Sequence, residues 1–253
     1  MESRREQRIT WLLQALRQSD KLRLREAAAQ LGVSEMTLRR DLSADDTPVV
    51  LLGGHLVLAR SAAGAHYLLS DQKNRHVKEK RHAARLAAAL IEPHQTLFFD
   101  CGTTTPFIIE ALAPELPFTG ICYSLNIFLA LREKPQCRVI LCGGEFQPGS
   151  TVFCPLNLRE TLANLCPDLA FLSAAGVHPR QGATCFNLDE LPVKHWALAM
   201  SKKRALVVDS SKYGVVRPAR MGPLSAFDAL ISNAPAPQEL ARQALAQGVE
   251  MIS

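Results

Sequence analysis

No apolar run in this chain approaches the ~20 residues that a bilayer-spanning helix requires, so no such helix is expected. The opening residues, MESRREQR, are charged and no apolar stretch follows them, so a secretory leader is not expected either. Paired cysteines are also missing. There are seven, an odd number, at Cys101, Cys122, Cys137, Cys142, Cys154, Cys166 and Cys185, and no C-x-x-C occurs. Most sit in or beside apolar runs, where a thiol behaves as a small hydrophobe. The expectation is a reduced, cytoplasmic chain with no structural metal and no cofactor. Strong charge is lacking too. A net +5 permits nucleic-acid binding without demanding it. What is present is 47% hydrophobic residues in 253, enough for a real core and for a small domain beside a medium one.

The most informative stretch is TLFFDCGTTTPFIIEAL, residues 96–112. Residues 96–100 form a strand-length apolar run that ends in a carboxylate, Asp100. Gly102 breaks it, and Thr103, Thr104 and Thr105 follow. Pro106 is where the first turn of a helix accepts proline. Phe107, Ile108, Ala111 and Leu112 then recur at helical spacing. Strand, Gly-Thr loop and helix point backbone N–H groups and hydroxyls at one spot, and a phosphate suits it. The lysine of GxxxxGK[ST] is missing, so nucleotide hydrolysis is not expected. Read alone, a GTT after a strand is more simply a capped helix start.

The first sixty residues have a different grammar. Ser3 and Glu6 make a capping box, and Ile9, Leu12, Leu13 and Leu16 share one face of a helix over 4–18. Leu22 and Leu24 alternate as a short strand. Residues 25–31 are Ala-rich and helical, and Gly32 ends them. Ser34 is a good N-cap for a third helix over 35–42. Two short helices around a Gly-containing turn make a helix-turn-helix. On the third helix Leu38 and Leu42 face inward, with Val33 behind the cap. Met36, Thr37 and Arg40 fall opposite, and Arg39 lies on the flank. The candidate DNA contacts are Ser34 and Glu35 at its start and Met36, Thr37, Arg39 and Arg40 beyond. Arg grips guanine bidentately, and Thr reaches bases or phosphate. A lone Arg-Arg pair is usually a solvated face; its place on the second helix of a helix-turn-helix favours DNA. PVVLLGGHLVLA then reads as a hairpin turning at Gly53-Gly54, which makes the module winged.

With LGVSEMTLRRDL and the GG hairpin in view, the chain resembles the DeoR family of bacterial transcription repressors. The likeness continues through FFDCGTTT, CGGEF, FLSAAGVH, GATCFNLDELPVKHWAL and VVDSSKYG. It implies a winged helix-turn-helix over 1–58, a linker over 59–74 and a sugar-phosphate sensor domain over 75–253. SAAGA, small and flexible, marks the boundary. The segment 73–85 carries six basic residues and reads as the solvated face of a helix, or one lying along DNA phosphates. Ala83, Leu86, Ala87 and Leu90 supply its buried stripe.

Strand and helix then alternate. Strands are expected at 118–123, 138–142, from 168, and ending at Asp209; helices at 126–131 and 189–200. The fold class is α/β, a mostly parallel sheet covered by helices, with a ligand at the carboxyl ends of the strands. Polar groups gather at those ends: Asp100 with Gly102, Thr103, Thr104 and Thr105; Ser124 and Asn126; Gly143 and Gly144; Gly176; and Lys212. Caps and turns need such residues anyway, but five loops in register read as one anion-binding crevice.

The sensor half of this family is similar to ribose-5-phosphate isomerase, and that likeness raises the rival reading of an enzyme. The phosphate loop is here, Glu190 is a plausible counterpart of the isomerase base, and Lys212 follows Asp209. Where the enzyme carries aspartates this chain reads SAAGV, 173–177, so binding without turnover is expected and no catalytic residue is named. Glu190 and Lys194, at i and i+4, either touch the ligand or pair on their helix for a few tenths of a kcal/mol. The resemblance implies operator DNA and a sugar-phosphate inducer, deoxyribose 5-phosphate, as partners, with genes of deoxynucleoside breakdown as the target. A wall facing carbon 2 would separate deoxyribose from ribose, and Tyr123 and Cys101 are the candidates. One short reading head makes few contacts, so a homo-oligomer is expected.

Overall fold

Leu12 and Leu16 are buried on one face of α1 (Arg4–Gln18) because they recur every four residues. They close a small core with Leu24, Ala27, Leu38, Val49 and Leu56. The structure is a computed structural model describing residues 4–19, 21–42, 47–52, 54–58 and 75–253. They fall into two compact units, 1–66 and 67–253. After α1 come β1 (Leu22–Arg23), α2 (Leu24–Gln30), α3 (Glu35–Leu42), β2 (Val49–Leu52) and β3 (His55–Leu58). Gly32 turns the chain between α2 and α3 at φ +64, a conformation open to glycine at little cost. The three strands pair antiparallel in the order β1-β3-β2, with Leu22 opposite Leu56 and Val50 opposite Val57. This is a winged helix-turn-helix. Leu24 does not extend the strand as its alternation with Leu22 predicts: it opens α2, where its side chain completes the core. Ser3 of the capping box, Gly53 of the hairpin and the linker 59–74 lie outside the described residues.

The second unit runs α4 (Val77–Ala88), β4 (Thr96–Phe99), α5 (Thr105–Ala111), β5 (Phe118–Cys122), α6 (Leu125–Arg132) and β6 (Cys137–Leu141). It continues with β7 (Glu145–Gln147), β8 (Val152–Cys154), α7 (Leu158–Leu162), β9 (Leu169–Leu172), β10 (Gly176–His178) and β11 (Gly182–Cys185). The last elements are α8 (Leu191–Met200), β12 (Lys203–Val207), β13 (Ala219–Gly222), β14 (Ala229–Ile231), α9 (Gln238–Ala246) and β15 (Glu250–Ile252). Seven strands form one sheet in the order β15-β14-β12-β9-β4-β5-β6, and every neighbouring pair is parallel. The chain builds outward from β4 to β5 and β6. It then returns to β9 on the other side of β4 and builds outward through β12. The switch point therefore lies between β4 and β9, where such sheets open a crevice outside their carboxyl ends.

Residue parity decides which face each side chain covers. Leu97, Phe99, Phe171, Ala205 and Val207 pack with Ala83, Ala84 and Ala87 of α4 and Ile108 of α5. Phe98, Ala170, Leu172, Leu206 and Val208 pack with Val193 and Ala197 of α8 and Leu240 of α9. An antiparallel sheet, β10-β11-β13, and a hairpin, β7-β8, join this second side. The alternation of strands and helices in the sequence did not predict either. They are built from strands of three or four residues, too short for a period to show. The stripe of α4 also departs from expectation. Leu90 is exposed, and Lys80, Ala83, Ala84 and Ala87 are buried.

Candidate nucleic-acid interface and ligand crevice

Helix α3 presents the residues expected at a groove. Ser34 caps it, accepting from the Thr37 N–H at 3.1 Å, and the two hydroxyls lie 2.9 Å apart. Glu35, Met36, Arg39 and Arg40 are exposed, Met36 at 73%; Thr37 is half-buried, and Leu38 is fully buried. Its position is fixed by contacts that periodicity did not single out. Arg8 of α1 reaches the buried Asp41 carboxylate at 2.7 Å, and Arg5 donates twice to the Asp41 carbonyl, at 3.1 and 3.0 Å. Cationic groups at the last carbonyls of a helix also suit its dipole. The face of α3 opposite Leu38 is thus held out on a rigid three-helix frame.

In the sensor unit, Asp100 follows β4 directly at the switch point and is wholly buried. Its Oδ1 accepts from the Cys101 N–H at 2.9 Å and the Tyr123 hydroxyl at 2.7 Å. Its Oδ2 accepts from the Ser173 N–H at 2.9 Å, the Ser173 hydroxyl at 3.2 Å and the Lys194 ammonium at 2.5 Å. A carboxylate offers about four lone-pair sites, so Asp100 is filled by the protein's own donors. Lys194 also stands 3.5 Å from Glu190 Oε2, and neither side chain is more than 6% exposed. Glu190 accepts from Asn187 at 2.7 Å and from the Cys101 thiol at 3.3 Å. The i,i+4 spacing left a pair on the helix and a ligand contact open; what forms is a pair that is part of a buried triad of two carboxylates and one ammonium.

The protonation states follow. Burial by itself would lower the Lys194 pKa, but Asp100 and then Glu190 outweigh it and hold the value well above the ordinary lysine range. Burial, and then Glu190, push Cys101 well up, so it is a thiol that donates. Burial and Asp100 do the same for the Tyr123 phenol. Tyr123 stacks on Phe98 at 6.0 Å. Tyr123 and Cys101, expected as a ligand-facing wall, are therefore buried, with their polar tips turned toward Asp100 and Glu190.

The Gly-Thr loop lies just outside this network. Gly102 has φ +121, and a Cβ there would come within 2.6 Å of Ser173 Oγ. That close approach locks the loop after β4 to the loop after β9, across the switch point. The Ser173 hydroxyl also meets the Cys101 carbonyl. Asn126 donates to the Gly102 carbonyl at 2.9 Å, and its Oδ1 meets the Ser124 hydroxyl. Thr104 precedes α5, and its hydroxyl makes no capping bond to the helix. Asp100, Gly102, Thr103, Thr104, Thr105, Tyr123, Ser124, Asn126, Glu190 and Lys194 are thus one neighbourhood. The three other glycines are not part of it in the same way. Gly144 and Gly176 lack a Cβ because the Cys154 and Val215 carbonyls stand 2.0 and 2.3 Å from where it would be, and Gly143 meets nothing within 4 Å.

Lys212 belongs to a second cluster. Its ammonium is 3.9 Å from Asp209 Oδ2, and Asp209 continues the α4 side of the sheet, whereas Asp100 continues the α8 side. Here the sequence reading missed Lys80. The basic run 73–85 reads as a solvated face or one lying along DNA phosphates, yet Lys80 is 1% exposed, and burial lowers its pKa to about 8. Its spacing was the available signal, because Lys80 precedes Ala83, Ala84 and Ala87 by three, four and seven residues. Among the described residues no cluster of His, Cys, Asp and Glu is arranged to hold a metal ion. No described helix is long and apolar enough to cross a membrane.

Comparison with known proteins matches residues 8–58 to the DeoR-like helix-turn-helix domain and residues 75–234 to the DeoR C terminal sensor domain. The chain is 62% identical over 252 residues to the deoxyribose operon repressor of Escherichia coli strain K12, covering 100% of each. It is 27% identical over 231 residues to the glycerol-3-phosphate regulon repressor of the same strain, covering 91% of this chain and 92% of that one. Among solved structures, ribose 5-phosphate isomerase A from Neisseria gonorrhoeae aligns with a TM-score of 0.40 at 20% identity, over 55% of this chain and 53% of that one.

Proposed function

Given that the chain is a DNA-binding transcriptional repressor and belongs to the DeoR family, we propose that its inducer is a sugar phosphate held at the switch point between β4 and β9. The observation that carries this is the Gly102–Ser173 contact. It brings the Gly-Thr loop to the place where parallel α/β sheets bind ligands. The inducer is deoxyribose 5-phosphate, on the strength of the 62% identity to the deoxyribose operon repressor, and the controlled genes serve deoxynucleoside breakdown. The protein works in the cytoplasm as a homo-oligomer, since one reading head makes too few contacts for tight operator binding. Residues 1–58 read DNA, 59–74 link, and 75–253 sense. The inducer acts by binding better to a state that fits the operator poorly, and it shifts DNA affinity only by that difference.

The inducer is tested by thermal shift with deoxyribose 5-phosphate, ribose 5-phosphate and unphosphorylated deoxyribose. A ligand at 100-fold above its Kd stabilises by about 2.7 kcal/mol, and deoxyribose 5-phosphate should give the largest shift. A larger shift from another sugar phosphate would reassign the inducer.

No turnover of these pentose phosphates is expected. Where the isomerase carries aspartates this chain reads SAAGV, 173–177, and Glu190, the candidate counterpart of the base, is occupied by Asn187, Cys101 and Lys194. An isomerase assay that shows activity abolished by Glu190→Gln would falsify this.

On the DNA side, Arg40→Ala should weaken operator binding by about 1–3 kcal/mol at fixed salt if Arg40 reads a base. Operator affinity equal to the parent's removes Arg40 from the reading face.

A further inference from the structure

The loop after β4 is gripped from two sides. β9 and β5 flank β4 in the sheet, so the loops that follow them, at Ser173 and at 124–126, stand on opposite sides of 101–103. The Ser173 hydroxyl donates to the Cys101 carbonyl. Asn126 Nδ2 donates to the next carbonyl, that of Gly102, at 2.9 Å. The Asn126 amide has one workable orientation: a carbonyl only accepts, so the NH2 group faces Gly102 and Oδ1 is left to accept from the Ser124 hydroxyl. Ser124 is wholly buried at the N-cap of α6, yet its side chain makes no capping bond; its hydroxyl is committed to Asn126. A trans peptide points its C=O and its N–H in opposite directions, and no described peptide bond is cis. The Gly102 carbonyl faces Asn126, on the β5 side. The Thr103 N–H therefore faces the β9 side, over the switch point. Among the described residues nothing accepts from it. Gly102 and Thr104 are buried and Thr103 is half-buried, so the loop opens outward at this residue. A main-chain N–H is an obligatory donor, and this one is aimed into the crevice.

We infer that Asn126, expected from the sequence as a ligand contact, is a positioning residue: it aims the Thr103 N–H at the inducer's phosphate, and Ser124 holds the Asn126 amide in the orientation that does so. This rests on the reading of the switch point as the inducer site. A clamp is needed here because the peptide in question follows a glycine. Gly102 sits at φ +121, and a residue without a Cβ lets the neighbouring peptide plane turn over at little cost. Held by Asn126, the plane is fixed before the anion arrives, so binding does not have to order it. Released, it is free to rotate the Thr103 N–H away and to present the Gly102 carbonyl, which repels a phosphate.

The test uses the full-length chain labelled with 15N-threonine and titrated with deoxyribose 5-phosphate and with inorganic phosphate. Affinity is read by calorimetry and the Thr103 amide by NMR, its signal being the one that Thr103→Ser removes. In the parent the Thr103 amide proton should move downfield as either ligand saturates. In Asn126→Ala both ligands should bind about tenfold or more weakly, the loss of one charge-assisted bond, and at saturation the Thr103 shift should be gone. Ser124→Ala should weaken binding in the same direction, and adding it to Asn126→Ala should cost nothing further, because the hydroxyl acts only through that amide. Thr96 in β4 and Thr184 in β11 report the fold and should keep their parent positions. Weaker binding with the Thr103 shift intact at saturation overturns the inference, since Asn126 would then touch the ligand itself, and the ligand site stands. Parent-like affinity in Asn126→Ala overturns it in the same way. Movement of Thr96 and Thr184 would make the role structural, and additive losses with Ser124→Ala would count against it too. If the amides of Thr103, Thr104 and Thr105 in the parent ignore a bound deoxyribose 5-phosphate, the reading of the site fails and the inference goes with it. Should Asn126→Ala not fold, Asn126→Ser stays polar but is too short to reach Gly102, and its Thr103 amide decides between the same outcomes.

Discussion

Lys194→Met should destabilise the sensor unit by about 3–5 kcal/mol, the usual cost of removing one partner of a buried ion pair. Lys194 is 1% exposed and is the ammonium that two buried carboxylates share, at 2.5 Å from Asp100 and 3.5 Å from Glu190. Its removal leaves both without their countercharge. In a unit of this size that is a fall of roughly 10 °C in melting temperature. The raised pKa gives the pH dependence. A lysine whose folded value lies above its unfolded value contributes fully below the unfolded value, and the contribution is lost only as pH rises through the folded one. The cost of Lys194→Met should thus be the same at neutral pH and one unit either side. Combining it with Asp100→Asn and Glu190→Gln should recover part of the loss, because the orphaned charges are then gone. Thermal and denaturant unfolding measure all three points. A Lys194→Met protein as stable as its parent would mean that the triad carries no net interaction.

Thr104→Val should produce a super-repressor. The substitution keeps size and β-branching and removes one hydroxyl. That hydroxyl makes no capping bond to α5, so its loss costs the helix nothing. Thr104 is buried. If the loop 102–105 cradles a phosphate, the bound anion loses one charge-assisted donor, about 1.5–3 kcal/mol or ten- to a hundredfold in inducer affinity. Operator affinity without inducer should be unchanged, because α3 belongs to the other unit. In a reporter strain the genes then stay off as the sugar phosphate accumulates. Loss of operator binding would make the loop structural, and normal induction would place the phosphate elsewhere or away from this hydroxyl.

How far these sites could be read beforehand varied with the range of the interaction. The reading head was legible nearly residue by residue. Leu12, Leu16, Leu38 and the Ser34 cap announce their helices through neighbours three and four positions away, and burial follows that period. Four strands of the parallel sheet were legible as apolar runs ending at Asp100, Tyr123, Cys142 and Asp209; the strands stop one or two residues earlier, at Phe99, Cys122, Leu141 and Val207. Lys80 misled because its charge outweighed its spacing. The hairpin β7-β8 and the sheet β10-β11-β13 gave no signal, since strands of three or four residues carry too few alternations.

From its residues alone this chain determines a winged helix-turn-helix with Arg39 and Arg40 outward, a parallel α/β unit and a Gly-Thr loop after a buried strand. All of these follow from local periods and turn chemistry, which act between near neighbours. Strand order was decided only in three dimensions. The return of β9 to the flank of β4 creates the switch point and puts Ser173 against Gly102. Parity, combined with that order, sent Asp100 to the α8 side and Asp209 to the α4 side of one sheet. The same packing joined Glu190 and Lys194, a local i,i+4 pair, into a buried triad with Asp100, 90 and more residues away in the chain. The physical reason is that burial is set by whatever packs on top, and for a parallel sheet that is another part of the chain. A charge pair worth a few tenths of a kcal/mol in water becomes costly to break once α8 has carried it out of water.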